Sequence, residues 1–159
     1  MVGEIAYKPS EDLYADVPQI LSSTKKEYFP SFYEWLEWNG EEIHEAGGLI
    51  TNGGAEDWMY EIPAGKTFFL TYASIENYNT VDILPAGITS GWLGTVWRSI
   101  LSIMANGKEG AKYKIQKYFP IPMRFISGEK IKLNNCSVGV YTHARITGFL
   151  VDTKILKNF

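Results

Sequence analysis

The sequence predicts an all-β fold, an antiparallel β-sandwich with an extended N-terminal arm and room for one short helix. Three observations carry this expectation. Phe, Tyr and Trp make up 14% of the 159 residues, and aromatic side chains favour pleated, half-buried surfaces over plain helical bundles. The apolar runs are short, and turn signals built from Gly, Pro, Asn and Ser separate them roughly every 8 to 12 residues. One run, Lys-Thr-Phe-Phe-Leu-Thr-Tyr-Ala-Ser-Ile over residues 66–75, reads directly as a strand.

Residues 1–30 carry Pro9, Pro18 and Pro30 among mixed polar residues. They are read as an arm with little regular structure, lying over the domain or against a neighbouring subunit. Residues 31–159 are read as a single sandwich domain. At its start Ser31-Phe32-Tyr33-Glu34 matches the S-x-x-E capping box, in which hydroxyl and carboxylate satisfy free amides of a first helical turn. Phe32, Trp35 and Leu36 would then share a face, and Asn39-Gly40 would stop the helix. The same residues also fit a strand over 32–38 with Asn39-Gly40 as a type I′ hairpin turn into residues 41–45. Both readings stand.

Gly47-Gly48 and Asn52-Gly53-Gly54 bracket Leu49-Ile50-Thr51, and residues 58–62 form a run that ends at Pro63-Ala64-Gly65. Over residues 66–75 simple alternation puts Thr67, Phe69, Thr71 and Ala73 on one face and Phe68, Leu70, Tyr72 and Ser74 on the other. Both faces are partly apolar, as in a strand inside a sandwich. Asn77-Tyr78-Asn79 is expected to turn, with a strand over residues 80–84 after it. Residues 87–104 combine a helical spacing of Trp97, Ile100, Leu101 and Met104 with poor helix formers, Val96, Ser99 and Ser102; strand is preferred. Residues 106–110, Asn-Gly-Lys-Glu-Gly, make a turn before an alternating strand over 111–119. Phe119-Pro120-Ile121-Pro122 cannot sit in the hydrogen-bonded middle of a sheet. Ser127-Gly128-Glu129 turns the chain into residues 130–133, and residues 138–141 and 144–156 complete the series. Short strands punctuated this way fit antiparallel sheets in a jelly-roll arrangement.

The formal charge is -3, from 18 acidic and 15 basic residues, so there is no net positive field to draw in a nucleic-acid backbone. Nucleic acid is not expected as a partner. Cys136 is the one cysteine, which excludes an internal disulfide and a zinc site built on paired thiolates. A secretory signal is not expected, because Glu4, Lys8, Glu11, Asp12 and Asp16 interrupt the first eighteen residues. Membrane insertion is not expected either. The longest charge-free stretch, residues 83–97, falls short of the roughly 20 residues of a spanning helix and contains Pro85, Gly87, Gly91 and Gly94.

No residue set reads as catalytic, cofactor-binding or metal-binding, so the chain is expected not to be an enzyme. His44 and His143 lie far apart, without the clustered His-x-His of a cupin metal site. His44 with Glu42 and Glu45 is the sole stray ligand set, and an exposed polar histidine is its simpler reading. His143 is placed beside a turn. Cys136, in Asn-Asn-Cys-Ser, has no neighbouring base and reads as a small buried residue. Glu56 and Asp57 read as solvated loop charge. Pro63-Ala64-Gly65-Lys66-Thr67 lacks the first glycine of a phosphate-binding loop and precedes a strand. Trp35, Trp38 and Trp58 have the flat indole faces that suit a sugar ring, against the alternative of core or interface packing. Phe29, Phe32, Tyr33, Trp35 and Trp38 form a dense aromatic block beside the arm and, with Trp58, make the candidate contact or glycan-stacking surface. Phe68, Phe69, Tyr72, Phe125 and Phe149 are assigned mainly to the core.

Several phrases resemble small β-sandwich structural proteins of virus and bacteriophage particles. They are residues 48–54, Gly-Leu-Ile-Thr-Asn-Gly-Gly; residues 61–70, Glu-Ile-Pro-Ala-Gly-Lys-Thr-Phe-Phe-Leu; the stretch from Phe119 through Ser127-Gly128-Glu129 to Leu133; and the closing Thr147-Gly148-Phe149-Leu150-Val151. They cover about the second two-thirds of the chain, and each is also what two strands and a tight corner require. The resemblance implies a capsid, decoration, tail or spike subunit in a virion. Such a subunit acts by homo-oligomerisation, with Tyr and Trp at contacts to its own copies and to other virion proteins. The alternative is a carbohydrate-binding sandwich or receptor-binding domain that engages a glycan. A cupin-like metalloenzyme is the third reading. Without the resemblance the expectation is a soluble cytoplasmic protein.

Overall fold

The computed structural model describes residues 20–21, 26–27, 31–47, 55–80, 89–105, 107–135 and 139–156. Two compact units divide the chain, Met1–Glu41 with Val151–Phe159, and Glu42–Leu150. The first holds the short antiparallel strands β1 (Ile20–Leu21) and β2 (Lys26–Glu27), the helix α1 (Phe32–Asn39) and a 3-10 turn at Thr153–Leu156. Among residues 1–30 the described residues are those of β1 and β2. They pair Ile20 with Glu27 and Leu21 with Lys26, giving the backbone groups of an apolar dipeptide partners.

Both rival readings of residues 31–45 contribute. Ser31 Oγ accepts a hydrogen bond from the Glu34 amide at 3.2 Å, the N-cap half of the capping box. The Gly40 amide donates to the Leu36 carbonyl at 2.7 Å, and Asn39 Nδ2 donates to the Trp35 carbonyl at 3.0 Å, so the last turn closes on itself. The chain then enters β3 (Glu41–Ala46) directly, the strand that the hairpin reading placed there.

The second unit is an antiparallel β-sandwich. Its further strands are β4 (Ala55–Glu61), β5 (Lys66–Asn79), β6 (Thr89–Gly94), β7 (Ser99–Ala105), β8 (Lys112–Ile126), β9 (Lys130–Asn135) and β10 (Val140–Asp152). One sheet has the order β3-β10-β5-β8 and the other β4-β9-β6-β7. The neighbours nest as in one long hairpin: β3 with β10, β4 with β9, β5 with β8, β6 with β7. Successive pairs are dealt to alternate sheets, which places the apolar faces of the two sheets opposite one another.

The core lies between them. Phe68, Leu70 and Ile75 of β5, Phe125 of β8 and Ile146 of β10 meet Leu93 of β6 and Ile131 and Leu133 of β9. Each such side chain contributes roughly 1.5–3 kcal/mol on burial. Tyr60 of β4 tilts against Phe68 across the gap, with ring centroids 5.2 Å apart. At Gly91 a side chain would meet Thr142 and the Asn134 carbonyl at 3.1 Å, so the sheets approach closely there. Two polar pairs are also buried. Thr142 Oγ1 donates to Asn77 Oδ1 at 3.0 Å, and Asn135 Nδ2 donates to the Val140 carbonyl at 2.8 Å; each answers a group whose burial would otherwise be costly.

The strand over residues 66–75 forms as expected but runs on to Asn79, so the expected turn at Asn77-Tyr78-Asn79 is corrected. Tyr78 pairs with Lys112 and Asn77 with Tyr113 of the long partner strand β8, which supplies the ladder that a turn would forgo. The simple alternation is corrected too. Between the Leu70–Met123 and Tyr72–Tyr118 pairs, one residue of β5 faces residues 119–122 of β8. This bulge reverses the parity of the rest of the strand. Phe68 and Leu70 point into the core before it, and Ala73 and Ile75 after it. Tyr72 is consequently half-buried, not core; Phe149 is half-buried too, as one of the outward-facing positions in the alternation of β10, and Phe69 is buried outside the main cluster.

Pro120 and Pro122 fall inside that bulge, on a strand at the edge of its sheet, as the loss of two amide donors demands. Residues 87–104 contain two strands, β6 and β7, joined by a tight turn, in line with the strand preference. His143 is corrected from a turn-side position to the middle of β10, where buried Thr142 and Ala144 flank it in strict alternation. Leu49-Ile50-Thr51, residues 81–84 of the strand expected at 80–84, and Cys136 lie outside the described residues.

Candidate interaction surfaces

Two surfaces of the sandwich unit gather exposed groups of a kind that partners use. The first is an end of the sandwich. In the β6–β7 turn the Thr95 amide donates to the Arg98 carbonyl at 2.7 Å. Thr95 Oγ1 accepts from the amides of Trp97 at 3.2 Å and Arg98 at 3.1 Å. A Cβ on Gly94 would collide with the Arg98 carbonyl oxygen, so the turn depends on glycine there. Arg98 then reaches across to the β8–β9 turn. Its Nη2 lies 3.1 Å from Glu129 Oε1, and its guanidinium sits 4.2 Å over the Phe125 ring. Glu129 Oε2 accepts from the Ile126 amide at 2.8 Å. Gly128, with φ of 85°, makes this second turn possible.

This bracket ties two neighbouring turns together and leaves their apolar side chains outside. Trp97 is 87% exposed, Val96 68% and Ile126 54%. They border a groove of about 390 Å³ completed by Glu129, Lys130 and Lys132. An exposed apolar cluster on a rigid support is characteristic of an interaction site.

The second surface is the outer face of the β3-β10-β5-β8 sheet. Along β5 and β8 the pairs Tyr72–Tyr118, Ser74–Gln116, Glu76–Lys114 and Tyr78–Lys112 are in register. The rings of Tyr72 and Tyr118 lie 4.7 Å apart, and the Tyr72 hydroxyl donates to Gln116 Oε1 at 3.2 Å. On β10, Tyr141, His143 and Arg145 alternate with buried residues and join this face. Tyr78 and Tyr141 stack with centroids 6.4 Å apart and an interplanar angle of 27°. A depression of about 250 Å³ is lined by Glu76, Tyr78, Tyr141, His143 and Arg145.

No protein-family model matches the sequence, and no curated protein matches it. Solved structures are similar to it. One is dimeric latent PorU from Porphyromonas gingivalis, with 12% identity and a TM-score of 0.42; the match covers 72% of this chain, which spans 13% of the PorU chain. Another is a chain of the cyanophage Pam1 capsid asymmetric unit, with 12% identity and a TM-score of 0.40, covering 81% of this chain and 96% of that one.

Of the aromatic residues expected to form the contact surface, the helix α1 carries Phe32, Tyr33, Trp35 and Trp38. Phe32 stacks on Trp35 at 5.6 Å, but Trp35 is 1% exposed and offers no open ring to a sugar or partner. Trp38, in the same helix, is 77% exposed. Phe32 and Tyr33 are half-buried, and burial pushes the Tyr33 phenol above its ordinary range. Phe29 lies outside the described residues, as does the side chain of Trp58, whose backbone belongs to β4. His44 is exposed, with Nε2 2.9 Å from Glu42 Oε2 and Nδ1 3.2 Å from Thr147 Oγ1. Glu45 points to the other face of the strand, so the three do not converge on a metal position. Among the described residues no group of three or more His, Cys, Asp and Glu side chains could hold a metal ion, and no helix is long and apolar enough to cross a membrane.

Sequence reasoning passed over Trp97, Val96 and Ile126 and did not bring Tyr78, Tyr141 and Arg145 together. A signal for the first was present in Gly94-Thr95-Val96-Trp97-Arg98-Ser99, where bulky apolar residues sit between turn-forming neighbours. The second needs the pairing of strands more than sixty positions apart.

Proposed function

We propose that this chain is a non-enzymatic structural subunit of a virus or bacteriophage particle, a jelly-roll-type sandwich that acts by symmetric self-association and by contact with other particle proteins. The observation that carries the reading is the rigid apolar end formed by Val96, Trp97 and Ile126. A side chain such as Trp97, held in water by a braced turn, gains most of its free energy only when a neighbour covers it.

The nested strand order supports the architecture, since winding one long antiparallel ribbon into two sheets is how a jelly roll is built. The edge of β8 favours association through ends and faces over sheet extension. Pro120 and Pro122 lack amide donors, and Lys112, Lys114 and Lys117 line the same strand, a combination that discourages edge-to-edge pairing. In this reading the protein resides in the virion.

Sedimentation velocity and light scattering across a concentration series, with electron microscopy of the largest species, test the proposal. Closed oligomers of defined size are expected. A monodisperse monomer at high micromolar concentration overturns it.

A further inference from the structure

We propose that the depression on the outer face of the β3-β10-β5-β8 sheet binds a single carboxylate-bearing sugar ring, held by Arg145 and His143 and stacked on Tyr141 and Tyr78. This site is separate from the apolar end, and its argument does not rest on the assembly reading.

Its size limits the ligand first. About 250 Å³ is below the roughly 300–1,000 Å³ of clefts that enclose drug-sized molecules, so the depression suits one ring with its remaining chain in solvent. The lining then selects the chemistry. Tyr78 and Tyr141 are partly exposed and stacked at 27°, presenting ring surface to the apolar side of a pyranose. Around them stand hydroxyls, an imidazole and the Glu76 carboxylate, which offer both donors and acceptors to sugar hydroxyls.

Charge selects further. Arg145 lines the depression, is exposed, and has neither an ion pair nor a side-chain hydrogen bond among the described residues. Lys112 lies 5.5 Å over the Tyr78 ring, and Lys114 stands opposite Glu76 in the ladder. Three cations thus face one carboxylate on this part of the sheet, although the whole chain is net acidic. A guanidinium with its donors uncommitted matches a carboxylate in bidentate fashion. All five lining residues sit on adjacent strands β5 and β10, so the site is already formed without a loop closing over it.

Isothermal titration calorimetry of the full chain tests this with 3′-sialyllactose, lactose and a glutamate-rich peptide as probes, and with sialyllactose against variants. Binding of sialyllactose that exceeds lactose by about tenfold or more, and is lost on Arg145→Ala, is expected. Tyr141→Ala should weaken binding by about two- to tenfold and Tyr141→Phe far less, because the ring supplies the stacking. Arg145→Ala removes an exposed side chain, so its thermal midpoint should match the parent and exclude misfolding as the cause. Equal binding of lactose and sialyllactose, binding of the peptide alone, or silence toward all three overturns the proposal. None of these outcomes alters the sedimentation result that tests assembly.

Discussion

The apolar end and the tyrosine face belong to the same sandwich, yet their side chains are held by different means. At the end, Val96, Trp97 and Ile126 lie at or beside tight turns, and their positions depend on Thr95, Gly94, Gly128 and the Arg98–Glu129 pair. On the sheet face, Tyr78, Tyr141 and Arg145 are aimed by the pleat, and their order comes from strand register. A turn can display a large apolar group at a distance from the core but needs dedicated polar contacts to hold it. A sheet face holds polar groups in a fixed array without such contacts, because the ladder is already made.

Substitutions at four positions separate the two, and the largest effect should come from the residue beneath the bracket. Phe125 is fully buried, 6.3 Å from the Phe68 ring and directly under Arg98. Phe125→Ala should therefore destabilise the unit by about 3–5 kcal/mol in urea unfolding. Self-association should fail with it. A loss below about 1 kcal/mol would mean that the sheets are not packed through this ring.

Gly148→Ala comes next and acts on the sheet side. Its Cβ would collide with the Phe69 carbonyl oxygen and crowd the Phe68 ring, so a loss of about 1–3 kcal/mol is expected. Association through the apolar end should survive at temperatures where the variant stays folded. Glu129→Gln removes the charge that holds Arg98 while keeping the volume. Both partners are partly exposed, which limits the stability change to about 0.5–1 kcal/mol. The association constant should fall by more than that change explains, since the turn loses its brace. Trp97→Ala has the smallest effect on folding, within about 0.5 kcal/mol by thermal melting, as the ring is almost wholly in water. Its effect on oligomer formation should nevertheless be the clearest of the four. An unchanged sedimentation profile for Trp97→Ala would remove the apolar end from the assembly reading.

The local features were legible because each rests on near neighbours. The capping serine, the glycine corners at Gly65, Gly110 and Gly128, and the strand that begins at Lys66 all announce themselves within a few residues. The Pro120 and Pro122 pair also pointed to an edge, since a missing donor is intolerable elsewhere. The sequence could not show that β5 shifts parity at Thr71, because the bulge arises from matching β5 to residues 119–122 of another strand. That shift alone decides whether Ala73 or Tyr72 faces the core. Exposure within the aromatic block was not legible either. Density in sequence says nothing about which rings the fold covers, and Trp35 and Trp38, three positions apart, end at 1% and 77% exposure.

By itself, then, the sequence determined the all-β character, the turns at residues 63–65 and 127–129 and the edge status of the proline strand, all consequences of backbone sterics and donor inventory acting over a few residues. The nested strand order, the bulge and the convergence of Tyr78, Tyr141 and Arg145 were decided by the tertiary structure. These depend on hydrogen bonds and packing between segments distant in the chain, whose energies exist only once the two sheets have closed on a common core.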